Sequence, residues 1–205
     1  MSNSIPTDDT LKKSFEMNVL NSEGEKIEFG KLLEVEEGAE GRRKTVVVFV
    51  RHFFCGSCQD YVSQLATVRP DALAEANTKI IIVGCGDFQP IKFYSETTSF
   101  PLSQIYANPT RGIFTALNTT NTTQGAPAGQ TPSYMTVGLP MNILRSVYRA
   151  VSNIGVATKG GPPSQNGGEL VFDHEKRCTF ANIMQHSQDH KEVPDLMKEA
   201  GVAFP

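Results

Sequence analysis

The sequence predicts an α/β protein with a central mixed sheet flanked by helices, and three features carry that reading. Two β-branched and aliphatic runs, Thr45-Val46-Val47-Val48-Phe49-Val50 and Lys79-Ile80-Ile81-Ile82-Val83-Gly84-Cys85, have the composition of strands covered on both faces, as in a parallel sheet. Between them Tyr61, Val62, Leu65 and Val68 recur at helical spacing, so strand, helix and strand make a right-handed βαβ unit. Residues 169–172 and 177–181 flank a polar turn and read as a closing antiparallel hairpin.

Taken in order, residues 1–12 are polar and aperiodic and are expected to form a flexible tail, leaving 13–205 as one domain. Over 15–29, apolar residues alternate around Asn21-Ser22-Glu23-Gly24, the pattern of an N-terminal β-hairpin. The run at 46–50 is the expected central strand. The helix after it should kink or break at Pro70, with 71–77 supplying a second piece before the next strand. Residues 90–98 read as a helix, 100–106 as a short extended segment and 109–118 as a helix opened by Pro109. The stretches 118–133 and 155–168 are rich in Gly, Pro, Asn and Thr and lack an apolar face, so both are expected to be exposed, mobile insertions around an inserted helix at 141–153. A terminal helix is expected at 193–200.

Nineteen basic against twenty-two acidic residues give a net charge of −3, which offers no basic field for nucleic acid or an anionic membrane surface. No stretch approaches the roughly 18 apolar residues of a membrane helix, and the first residues do not read as a secretory signal. A cytoplasmic, reducing setting is therefore expected, in which four cysteines are not a structural disulfide framework.

The residues that carry chemistry are at the junction of the central strand and its helix: Arg51-His52-Phe53-Phe54-Cys55-Gly56-Ser57-Cys58. Two cysteines so spaced at a helix start can close a disulfide with little backbone movement. The first thiol lies where unpaired N–H groups and the helix dipole favour the thiolate, which is the attacking species. Cys55 is thus the expected nucleophile, and Cys58, one turn on, the resolving thiol. Arg51 and His52 stand close enough in sequence to stabilise the thiolate or polarise a peroxide, although Arg51 could equally point to solvent and merely end the strand. Zinc would require His52 and Cys85 to join the pair, and strand–helix placement favours redox chemistry over that site. Cys85 and Cys178 read as small core residues, and His186 with His190 as ordinary polar groups lacking a third ligand. No cofactor or metal is expected.

The segments VVFVRHFFCGSCQDYV (47–62), FPLSQIYANPTRGIFTALN (100–118) and SQNGGELVFDHEKRCTFANIMQHSQDH (164–190) resemble, in that order, the AhpC/TSA peroxiredoxin-like group of the thioredoxin superfamily, and more narrowly its peroxiredoxin-like 2 branch, relatives of selenoprotein U. The resemblance implies a thioredoxin-like fold with an extra N-terminal hairpin and inserted helices, and an antioxidant or thiol-oxidoreductase role. Peroxiredoxins carry Pro-x-x-x-Thr/Ser-x-x-Cys at the peroxidatic site, where this chain has Val48 and His52. They also carry an Arg before the penultimate strand, where this chain has Gln165-Asn166-Gly167-Gly168, and thioredoxins keep a cis-proline there.

The expected partners are a cellular dithiol reductant of the thioredoxin or glutathione type and a peroxide or other small-molecule substrate. Proteins of this kind often form homodimers, and the sequence marks no interface. Two other functions fit the same residues: a redox-sensing binding module, and an enzyme acting on a specialised small molecule in a pocket beside Cys55, under the two Gly-rich stretches.

Overall fold

The computed structural model describes residues 4–34, 43–127, 129–135 and 138–204. It opens with a helix, α1 (Asp8–Phe15), where the sequence reading expects a tail; residues 1–3 lie outside the described ones. The reason is capping. Thr7 Oγ1 accepts the Thr10 amide at 3.3 Å, Asp8 and Asp9 sit at the positive end of the helix and Lys12 and Lys13 at its negative end, while Leu11 and Ser14 are buried.

The hairpin β1 (Asn18–Leu20) and β2 (Lys26–Glu28) follows, and then the central strand β3 (Lys44–Val50). Helices α2 (Gly56–Leu65) and α3 (Pro70–Glu75) are separate, since Pro70 begins the second helix and does not kink the first. Next come β4 (Thr78–Gly84), α4 (Ile91–Thr98), β5 (Ile105–Ala107) and α5 (Gly112–Ala116). The remaining elements are α6 (Leu139–Ser152), α7 (Ile154–Ala157), β6 (Gly168–Phe172), β7 (Cys178–Ile183) and α8 (Val193–Ala200).

The seven strands form one mixed sheet in the order β2-β1-β5-β4-β3-β6-β7. Strands β3, β4 and β5 run parallel, and β6 lies antiparallel to β3, with Val46 opposite Ile80 on one side and Val171 on the other. Alternation along β3 splits the core into two layers. Val46, Val48 and Val50 face the residues of α2, α4 and α8, whereas Val47 and Phe49 pack with Leu11 of α1 and Ile113 and Phe114 of α5. A strand buried on both faces has no solvent-facing position, which is why 45–50 reads as an unbroken β-branched run.

The two Gly-rich stretches are not uniformly exposed. Thr119, Gln165 and Asn166 are buried, α7 begins the second stretch, and that stretch docks through backbone on the segments that leave the C-terminal ends of β3 and β4: Phe53 N donates to Gly160 O at 3.0 Å and Asp87 N to Lys159 O at 2.8 Å. Glycine allows that approach, because a Cβ on Gly86 would lie 2.5 Å from the Gly160 carbonyl, and one on Gly167 would run into the Phe49 carbonyl. Composition without an apolar face signalled exposure, but these segments are held by backbone contact and buried amides.

Candidate functional site

The end of β3 delivers Arg51, and Cys55 is the N-cap residue of α2. The Cys55 side chain caps no amide, and the residue lines the cavity beyond. Arg51 does not point to solvent. It is buried, and Nη1 lies 3.3 Å from Cys55 Sγ. Ser57 Oγ stands 3.2 Å from the same sulfur. The guanidinium is fixed from the far side by Asn166 Oδ1, which accepts from Nε at 3.0 Å, and by the Pro163 carbonyl, which accepts from Nη2 at 2.5 Å.

Asn166 is in turn held by Thr120, whose Oγ1 accepts from Asn166 Nδ2 at 2.8 Å and whose carbonyl accepts the Asn166 amide at 2.9 Å. Both Gly-rich stretches therefore build the bracket around Arg51. An arginine before the penultimate strand is absent, and the residue there, Asn166, instead holds Arg51, four positions before Cys55.

This environment separates the two thiols. The Cys58 thiol hydrogen-bonds to Cys55 and, together with Arg51, His52 and Ser57, holds the Cys55 thiol well below the usual range despite its burial. Burial and the hydrogen bond it gives to Cys55 push Cys58 well above that range. His52 is half-buried at the rim, and burial lowers its pKa.

Cys85 stands apart from the pair: its thiol lies 2.7 Å from the Arg51 carbonyl, and burial pushes it up to about 12. Cys178 lies in the outer hairpin, half-buried. Among the described residues no group of three or more His, Cys, Asp or Glu side chains is arranged to hold a metal ion, and no helix is long and apolar enough to cross a membrane.

Cys55 opens into a cavity of about 300 Å³. Arg51, His52 and Ser57 make its polar end; Phe54, Pro163, Ile143 and Val147 make apolar walls. Helix α6 roofs it, with Ser146 Oγ accepting the Gly56 amide at 2.9 Å.

Behind Cys58 lies a group that the sequence reading passed over. His190 Nε2 is 3.4 Å from Cys58 Sγ, and His190 Nδ1 is 2.5 Å from Glu169 Oε1. Both side chains are fully buried. The imidazole is stacked on Tyr61 at 4.3 Å with 7° between the planes, and Tyr134 closes the other flank at 6.1 Å. The available signal was Glu169, a charged residue heading the otherwise apolar Leu170-Val171-Phe172, since a carboxylate entering an internal strand requires a buried partner.

The AhpC/TSA antioxidant enzyme family matches residues 64–186, a span that begins after Cys58. Peroxiredoxin-like 2C of Homo sapiens is 31% identical over 187 residues, covering 91% of this chain and 78% of that protein. Among solved structures, a Cys-to-Ser mutant of peroxiredoxin 6 of Arenicola marina superposes with a TM-score of 0.59 at 10% identity, covering 98% of this chain and 72% of the other. Peroxidoxin BcpB of Mycobacterium tuberculosis superposes with a TM-score of 0.55 at 9% identity, covering 90% and 89%. These neighbours share the thioredoxin-like fold.

Proposed function

This chain belongs to the AhpC/TSA antioxidant-enzyme family, as a peroxiredoxin-like member of the thioredoxin superfamily, and from that premise we propose that it is a thiol-disulfide oxidoreductase working through Cys55 and Cys58. The observation that carries the proposal is the Arg51 guanidinium 3.3 Å from a sulfur at a helix N-cap, with a second thiol donating to it. Such a thiolate attacks the O–O bond of a peroxide or the S–S bond of a disulfide. With peroxide the products are a Cys55 sulfenic acid and an alcohol or water; Cys58 then displaces the hydroxyl as water and closes the disulfide. A cellular dithiol of the thioredoxin or glutathione type, in a cytoplasmic setting, returns both thiols.

His52 replaces the hydroxyl that orients peroxide in peroxiredoxins, so turnover with hydrogen peroxide is slow beside theirs. The cavity favours a second, narrower reading, in which an apolar organic peroxide or disulfide is the substrate, its chain lying between Phe54 and Val147. Stopped-flow oxidation of Cys55 by hydrogen peroxide and by an apolar organic peroxide tests both readings. We expect slow consumption by the first and faster by the second, none in Cys55→Ser, and an arrested sulfenic acid or mixed disulfide in Cys58→Ser. A Cys55 inert to both oxidants contradicts the proposal.

A further inference from the structure

The structure assigns to His190 the role of general base for the resolving thiol, with Glu169 as its positioning residue. The inference rests on the dithiol reading above and goes beyond it, because a nucleophile poised by Arg51 does not explain how its partner is activated.

Cys58 is fully buried and its thiol is pushed up, so by itself it holds its proton at neutral pH and attacks nothing. In the resting dithiol that proton stays on Cys58 and is hydrogen-bonded to the Cys55 thiolate. Once Cys55 is tied up in a mixed disulfide its charge is gone. His190 Nε2 remains as an acceptor at 3.4 Å, within reach of a sulfur donor. The tautomer follows from the network around the carboxylate. Glu169 Oε2 already accepts from Asn182 Nδ2 at 2.7 Å and from the Lys191 amide at 3.1 Å, so Oε1 accepts a hydrogen bond from Nδ1–H, which leaves the Nε2 lone pair toward Cys58. Stacking on Tyr61 fixes the ring plane.

Cys58 gives its proton to His190 Nε2 as its sulfur attacks Cys55 Sγ. The Cys55–Cys58 bond forms, the bond from Cys55 to the substrate sulfur breaks, and the electron pair departs with the substrate thiolate. The imidazolium, stabilised by Glu169, then loses its proton to that thiolate or to water.

The titratable groups near the imidazole include Cys58 and Tyr61 from α2, Tyr134 from the loop before α6, Glu169 from β6 and, on its own segment, His186, Asp189, Lys191 and Glu192. A second, polar cavity of about 230 Å³, lined by Gln188, Asp189, His190 and Glu192 among others, lies against this segment and gives the proton a route to water.

Dithiobis-nitrobenzoate, an aromatic disulfide with a coloured thiolate product, separates the two steps. The first burst of colour reports attack by Cys55, and the second reports resolution by Cys58. His190→Gln should leave the first burst within about twofold and slow the second by about 100-fold or more. Glu169→Gln should slow the second about tenfold or more and move its pH profile. In the unaltered protein the second-phase rate should level off below the ordinary thiol range of about 8.5. That measurement stands even where His190→Gln fails to fold.

A second burst unchanged in His190→Gln overturns the assignment. So does an unaltered protein whose second phase climbs tenfold per pH unit through 9 with no plateau, like that of a free thiol of about 8.5 or above. A missing first burst in the unaltered protein refutes instead the dithiol reading on which this step depends.

Discussion

Removing the sulfur of Cys58 while keeping Cys55 isolates the largest cause of the low Cys55 pKa, the hydrogen bond between the two thiols. Hydrogen bonds to a charged group contribute about 1.5–3 kcal/mol. At 1.36 kcal/mol per pKa unit, Cys58→Ala should therefore raise the Cys55 pKa by about 1 to 2 units. Cys58 is 0% exposed, so bulk water does not replace the lost donor. Cys58→Ser keeps an O–H in the same place and should leave the value nearly unchanged. The assay is the rate of iodoacetamide alkylation at Cys55 against pH, read by peptide mass spectrometry so that Cys85 and Cys178 do not contribute. Equal midpoints for the Ala and Ser variants would rule this out, because thiolate stability would then come from Arg51 and the other neighbours of the sulfur, Ser57 among them, and not from Cys58.

Arg51→Met should also raise the Cys55 pKa: a charge 3.3 Å from the sulfur is worth about 1 kcal/mol at the dielectric of water and about 5 at an effective value near 20, or about 1 to 4 units. The same alkylation curve reads it, and an unmoved midpoint contradicts the bracket; the substitution should also destabilise, since Asn166 Oδ1 and the Pro163 carbonyl lose their donor. Burial pushes Cys85 up to about 12 and Cys178 to about 11, against about 8.5 in an unfolded chain. A raised folded pKa gives stability that is complete below the unfolded value and lost as pH rises through the folded one, so the urea midpoint should fall between about pH 8.5 and 11, and a flat profile refutes this. Limited proteolysis should cut the exposed residues around 121–127 before 159–163, which are pinned to Asp87, Phe53 and Arg51; first cleavage in the second stretch would contradict that docking.

What the sequence made legible was whatever periodicity or local chemistry encodes. β3 and β4 are uninterrupted apolar runs because both faces are covered, and the C-x-x-C motif sits at a strand–helix junction because the βαβ unit puts it there. The α1 helix was hidden because one buried Leu11 and a Ser14 make too little of a stripe, although Thr7, Asp8 and Asp9 spell out its cap. Arg51 could be read either way, since nothing nearby in sequence says that Asn166 and Pro163 will hold it. Cys58, Glu169 and His190 come together only when β6 pairs with β3 and the chain after β7 folds back, over a separation of 132 residues between the cysteine and the histidine. Contacts of that range leave no periodic trace, and a lone histidine has the same appearance in a core as in a site.

The central claim is that Cys55 and Cys58 form the redox couple. It is tested most directly by oxidising the folded protein with a mild organic disulfide or peroxide, blocking free thiols, and mapping the product by peptide mass spectrometry. The expected product is one intramolecular Cys55–Cys58 disulfide, with Cys85 and Cys178 recovered as blocked thiols. A bridge to Cys85 or Cys178, an intermolecular dimer as the main product, or four thiols that survive unoxidised would contradict it.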